Sequence, residues 1–244
     1  VRMPLTTLAL VPARAGSRGI PGKNTRLFGG LPLLAWGVTI GRETCDRTCI
    51  STDDPAIGVL AAQYGAEIII RPADLATDEA PMLGVVQHAL GALQPAPDVV
   101  VLLQPTQPFR TAEHVRAALE LIEAADSVVS VVEIPACQSP DYAMRVADGW
   151  LTPFLPDGGI LACRQAARPA WYRDGTVYVA RREIIESGSL YGRRCRPLVI
   201  PACESATLDT EDDWREAATA HSRSNSSARS SSRTAGGGPV RSHP

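Results

Sequence analysis

Between residues 8 and 24 the chain reads LALVPARAGSRGIPGKN, an apolar run followed by three glycines (Gly16, Gly19, Gly22) interleaved with three cations (Arg14, Arg18, Lys23). Residues 8–11 predict a buried strand. Beyond Pro12 the glycines let the backbone approach a ligand closely, and the cations supply positive charge. Backbone amides in such a loop add to the field. The segment therefore has the chemistry of a polyphosphate cradle, with Arg14 and Lys23 holding the phosphates and Arg18 either a third contact or a solvated neighbour.

Two familiar phosphate loops do not fit. A P-loop requires Gly, four residues, then Gly-Lys-Ser/Thr; here Ser17 stands where the first glycine belongs and Asn24 follows the lysine. The dinucleotide fingerprint Gly-x-Gly-x-x-Gly fails because these glycines are spaced by three throughout. Further along, Gln104 ends the apolar run of residues 99–103, a position that points a polar amide into a site at the carboxyl edge of a sheet.

The elements that must position these residues alternate. Strands are expected at residues 8–11, 48–51, 67–70, 99–103, 128–132, 175–180 and 197–200. Helices are expected at 32–42, 55–64, about 83–93, 111–124, near Ile184, and at 211–220. The first helix starts at a proline and should turn Leu34, Val38 and Trp36 to the sheet. Asp53 and Asp54 suit helix caps as well as ligand groups, and Thr111 with Glu113 should cap the fourth helix. Strand and helix alternating four times predict a doubly wound, mostly parallel α/β sheet with ligands at the carboxyl ends of its strands.

The rhythm breaks between residues 135 and 169, a proline-rich stretch carrying Trp150, Leu151, Phe154 and Leu155. It is either a disordered insertion or a β-rich flap or dimerisation arm, and its apolar side chains favour the arm. Residues 222–244 are rich in Ser, Arg and Gly with almost no apolar content, the composition of a disordered tail. The expected division is one domain over 1–221, with 135–169 inserted, and a tail.

Composition bounds the function. A chain of 244 residues with 45% hydrophobic content buries a sizeable core, and a formal charge of −2 argues against a general nucleic-acid binder. The tail contributes Arg223, Arg229, Arg233 and Arg241 and no acid, so the domain itself is more acidic than the whole. Six scattered cysteines include no Cys-x-x-Cys pair and no histidine at finger spacing, which favours reduced thiols over a zinc site. The apolar N-terminal run is too short to span a bilayer, and the expected location is the cytoplasm.

Five blocks resemble the sugar-activating cytidylyltransferases, in particular the CMP-sialic acid (acylneuraminate) synthetases. They are PARAGSRGIPGKN, the STDDP…RPADLATDEA stretch, VVLLQPTQPFRT, the CRQ…YRDGTVYVA segment and ATLDTEDDWREA, together covering residues 7 to about 220. The resemblance implies a Rossmann-like nucleotidyltransferase fold that joins CTP to an α-keto sugar acid. Ala13, Arg14, Gly16, Ser17, Lys23, Asn24 and Arg71 would bind the nucleotide; Gln104, Arg164 and Tyr178 would bind the acid. Arg14, Lys23 and Asp209 would be catalytic, with Asp209 holding Mg2+ or, on the plainer reading, capping the last helix. A homodimer is implied, without nucleic-acid or membrane partners.

The chain departs from the family pattern at Met82, Gln107, Phe109, Tyr142, Asp174 and Thr207, where Ser, Ser, Leu, Lys, Asn and an acid are usual. These departures keep open activation of a different acid, such as deoxy-octulosonic acid or a secondary-metabolite acid, and a catalytically inactive nucleotide-binding module. No histidine falls in a matched block, so no general base is assigned.

Overall fold

A computed structural model describes residues 5–155 and 166–234, with side chains to residue 223. Strand β1 (Thr7–Pro12) leads through the glycine loop into the short hairpin β2 (Leu27–Phe28) and β3 (Leu31–Pro32). Helix α1 (Leu33–Thr44), β4 (Arg47–Thr52), α2 (Pro55–Gln63), β5 (Glu67–Ile70), α3 (Met82–Gly91), β6 (Val99–Leu102), α4 (Ala112–Ile122) and β7 (Ser127–Glu133) complete the alternating part. Next come the hairpin β8 (Met144–Ala147) and β9 (Trp150–Pro153), long β10 (Trp171–Arg181), α5 (Arg182–Glu186), β11 (Cys195–Val199) and α6 (Glu211–Thr234).

Seven strands form one sheet in the order β11, β7, β10, β6, β1, β4, β5. All neighbours run parallel except β10, which is antiparallel to both β6 and β7. From β1 the chain winds outward through β4 to β5, then returns to β6 on the other side of β1. The switch point thus lies between β1 and β6, where doubly wound sheets bind ligands. Residues 8–11 and Val99, Val100, Val101 and Leu102 are all buried, as continuous apolar strands covered on both faces must be.

Local chemistry accounts for the helix ends. The Asp54 carboxylate accepts the Ala56 N–H at 2.8 Å, Pro55 occupies the first turn, and Gly65 at φ +90° ends the turn after α2. In α4 the expected cap of Thr111 with Glu113 forms, the Glu113 carboxylate accepting from Thr111, and His114 joins it: Thr111 Oγ1 accepts the His114 N–H, and His114 Nδ1 accepts the Thr111 N–H. In α1, Leu34 and Val38 meet the sheet, but Trp36 turns away and donates its indole N–H to the Phe28 carbonyl at 3.0 Å.

Within the irregular stretch, β8 and β9 pair across a turn with Asp148 at φ 51° and Gly149 at φ 80°. The hairpin leaves Val146, Trp150 and Leu151 exposed, and Phe154 just beyond it is exposed as well. The last helix runs to Thr234, past both its expected end at 220 and the expected start of the tail at 222. Residues 211–235 contain no glycine or proline to stop it.

Candidate active site

The glycine-rich loop is held in place by apolar contacts. Ile20 from the loop, Phe28 from β2, Leu33 from α1, Leu208, and Trp214 and Ala217 from α6 form one buried cluster. Leu208 and Ile20 are fully buried, so the residues beside them in sequence have little freedom. Two charged contacts close the same seam: Arg26 pairs with Glu211 at 2.6 Å and lies over the Trp214 ring at 4.4 Å. The C-terminal block is thereby fixed against the N-terminal loop although 185 residues separate Lys23 from Leu208.

On that base the functional groups converge. Lys23 Nζ donates to the Leu208 carbonyl at 2.8 Å and to Asp209 Oδ1 at 3.2 Å. Gly19 packs so tightly on Asp209 that an added Cβ would collide with the Asp209 carbonyl. Its missing side chain therefore serves contact with the chain itself, where the sequence suggested approach to a ligand. Gly16 is different: open space surrounds the position of a Cβ there, and the residue lines the cavity.

A cavity of about 240 Å³ opens at the carboxyl ends of β1 and β6. Arg14, Gly16, Ser17, Lys23, Asn24, Arg71 and Gln104 all line it, so seven of the expected residues share one site. Ala13 does not join them. It is fully buried and its N–H goes to the Ser51 carbonyl at 2.8 Å, extending the sheet. Asn24 faces inward structurally as well, donating its amide to the Arg14 carbonyl at 2.9 Å and pinning the two ends of the loop.

Arg71 is 5% exposed, and its Nε has no partner among the described residues. Burial lowers its pKa, the nearby Arg14 adds to that, and Asp53 opposes it. A buried guanidinium nitrogen without a partner on the wall of a cavity is a group waiting for an acceptor. Asp53 has a second task, accepting the Ala15 N–H at 3.0 Å and so holding the loop, while Asp54 is the helix cap.

Sequence reasoning missed Asp78. Its carboxylate pairs with both Arg14 and Arg18, and Arg18 also lies 3.7 Å from Glu79. Arg18 thus faces the acids of residues 77–80, with 78% of its side chain exposed, instead of lying deep in the cradle. The acidic pair following the Arg-Pro-Ala-Asp-Leu-Ala run was the available signal. Both guanidinium groups of the loop are thus paired with the same carboxylate.

On the acceptor side, Gln104 is held by Arg110, whose guanidinium donates to the Gln104 carbonyl at 2.7 Å and to the Thr176 carbonyl. Burial pushes the Arg110 pKa down to about 9, and Asp174 opposes that fall. Tyr178 packs partly buried against the core near Leu102 and meets the Tyr191 ring at 6.5 Å, but does not line the cavity. Burial raises its pKa. Arg164 lies outside the described residues. Met82 lines the cavity as an apolar wall, and Tyr142 does not reach it.

A divalent cation can be tested against the donor set. Among the described residues no three His, Cys, Asp or Glu side chains gather into a metal cluster. Asp209 offers one carboxylate with 67% of its side chain exposed, and the Thr207 hydroxyl accepts from Gln107 Nε2 at 2.8 Å. Mg2+ is commonly held by one or two carboxylates with phosphate oxygens and water completing the octahedron. The site fits an ion that arrives with its nucleotide.

A doubly wound sheet that brings a glycine-rich cationic loop to its switch point, as here, is the setting of a nucleotidyltransferase. Residues 8–148 match the family model described as cytidylyltransferase, and the chain belongs to that family. It is 37% identical over 216 residues to the CMP-N,N'-diacetyllegionaminic acid synthase of Legionella pneumophila, covering 85% of this chain and 92% of that one. To the N-acylneuraminate cytidylyltransferase of Escherichia coli it is 27% identical over 221 residues, covering 89% of this chain and 52% of the relative, so it spans about half the length of that protein. The fold also matches a solved CMP:2-keto-3-deoxy-manno-octonic acid synthetase complexed with CTP, with TM-score 0.69, 16% identity and coverage of 90% and 99% of the two chains.

Proposed function

We propose that this cytidylyltransferase activates an α-keto sugar acid of the nonulosonic class, converting CTP and the acid to the CMP-sugar and pyrophosphate. The observation that carries the reading is the convergence of Arg14, Lys23, Arg71 and Gln104 on one cavity at the β1/β6 switch point, with Asp209 bonded to Lys23. The diacetylated legionaminic class is the first acid to test, since the relative bearing that name is 37% identical over most of both chains.

In the reaction the anomeric hydroxyl of the acid attacks the α-phosphorus in line. A new O–P bond forms as the bond from the α-phosphorus to the bridging oxygen breaks, pyrophosphate leaves, and the hydroxyl proton passes to solvent water. Arg14 and Lys23 stabilise the charge that builds on the phosphate oxygens and on the leaving group. Arg71 donates its unpartnered Nε to the nucleoside portion, and Gln104 orients the acid. Mg2+, held by Asp209 and the phosphates, would supply further neutralisation of that charge. Binding this close to the reacting atoms works by positioning, so small displacements of the loop carry large rate costs.

The exposed apolar side chains of residues 144–154, with exposed Trp171 and Tyr172 at the start of β10, support a homodimer formed through this arm. No helix among the described residues is long and apolar enough to cross a membrane. We place the reaction in the cytoplasm, where CTP is available. Mass analysis of incubations with CTP, Mg2+ and individual nonulosonic acids should reveal a CMP conjugate of one of them; finding none with any acid would refute the assignment.

A further inference from the structure

We infer that Gln107 is a positioning residue that couples the phosphate side of the site to its acceptor side. The inference rests on the reading of Asp209 and Gln104 given above. Gln107 is 3% exposed, and its amide nitrogen donates to Thr207 Oγ1 at 2.8 Å and to the Asp174 carbonyl. The residue therefore joins three segments distant in sequence: the loop after β6, the irregular turn within β10, and the loop that carries Asp209.

Each end of this tie reaches a functional group in one further step. Thr207 precedes Leu208 and Asp209, whose carbonyl and carboxylate meet Lys23, and the Leu208 N–H goes to the Thr106 carbonyl at 2.9 Å. At the other end Gly175, at φ +85°, lies against both glutamines: a Cβ there would stand 3.0 Å from Gln104 Oε1 and 3.1 Å from Gln107 Nε2. Only glycine gives both amides room at that backbone conformation. Asp174 is tied in turn to Thr176, whose hydroxyl and N–H meet its carboxylate.

The chemistry of the amide fits the task. A glutamine NH2 has two N–H donors, and here both acceptors, a hydroxyl and a carbonyl, come from opposite sides of the site. Gln107, Asp174 and Thr207 are also three of the positions where this sequence departs from the pattern it resembles, and the structure places them in direct contact. A shorter residue at 107 would leave the Asp174 carbonyl and the Thr207 hydroxyl without this donor, freeing the Asp209 loop from the acceptor loop.

The test is a double-mutant cycle with Gln107→Leu and Thr207→Val on the full chain. Its readout is Mn2+ binding in the presence of CTP, followed by electron paramagnetic resonance, with CTP affinity in the absence of metal as the control. Each single change should weaken Mn2+ binding about tenfold and the double no more than either, as for two residues sharing one bond, with the metal-free CTP affinity unchanged. Thr207→Ser, which keeps the hydroxyl, should behave as wild type. Losses that multiply in the double variant, or wild-type Mn2+ binding in Thr207→Val, would overturn the inference. Should Gln107→Leu fail to fold, the exposed Thr207→Val and Thr207→Ser pair still decides. The readout needs no sugar acid, so a failure of the acceptor assignment would show separately as absent turnover with intact Mn2+ and CTP binding.

Discussion

Gly19 lies against the backbone of Asp209, close enough that any side chain at Gly19 would strike the Asp209 carbonyl. The first and last blocks of the site are thus in van der Waals register across most of the chain. Gly19→Ala should lower the unfolding temperature, because the Asp209 backbone that must give way is anchored beside buried Ile20 and Leu208, and should lower turnover on the order of a hundredfold by displacing Asp209. Steady-state rates beside a thermal melt check this. Full activity would mean that the loop tolerates the shift and that Asp209 placement does not limit the reaction.

Lys23 serves the substrate and the scaffold at once, since its ammonium holds both the Leu208 carbonyl and the Asp209 carboxylate. Replacing it with alanine should weaken CTP binding about ten- to a hundredfold, the range for loss of a charged hydrogen-bond donor. Isothermal titration with CTP measures it. Unchanged affinity would contradict the phosphate cradle.

Asp78 should act in the opposite direction. Its carboxylate neutralises Arg14 and Arg18 at the mouth of the cavity, with 25% of its side chain exposed. Asp78→Asn should tighten CTP binding by a few fold, about the value of releasing a partly exposed ion pair. Weaker binding would show that Asp78 orders the two arginines rather than competing with the phosphate.

How much of this was legible beforehand varies by residue. The alternation of β1, β4, β5, β6 and β7 with their helices could be read because each strand is a continuous apolar run bounded by turn or cap chemistry. The antiparallel course of β10 could not, since a buried apolar strand reads the same in either direction. Trp36 was expected on the sheet because helical spacing ignores the indole N–H, which found the Phe28 carbonyl. The cradle was visible in the loop's composition, but the Gly19 and Asp209 contact, the Asp78 pairing and the Gln107 bridge join segments far apart in sequence. No local pattern encodes such pairings.

Acid should loosen the block that carries Asp209. Asp213 Oδ2 accepts the N–H groups of Thr210 at 2.7 Å and Asp209 at 3.1 Å, and Thr210 Oγ1 accepts the Asp213 N–H, a reciprocal cap at the start of α6. The Thr210 hydroxyl first, then the Thr210 and Asp209 N–H groups, hold the Asp213 pKa below the ordinary carboxyl value. A depressed folded-state pKa contributes stability that is complete above the unfolded value, near pH 4, and is lost as pH falls through the folded one. The stability difference between wild type and Asp213→Ala, followed by urea unfolding, should be constant above about pH 5 and shrink below pH 4. A difference that persists undiminished at low pH would assign the effect to helix propensity alone.

Asp209 and the nucleotide together carry the central claim, and pyrophosphate release measures it most directly. Wild-type protein with Mg2+ and CTP should release pyrophosphate on addition of a nonulosonic acid. It should do so much more slowly with ATP, GTP or UTP, and neither after chelation of the metal nor in Asp209→Ala. Release that is indifferent to the nucleobase, that survives chelation, or that is undiminished in Asp209→Ala would contradict a cytidylyl transfer at this site.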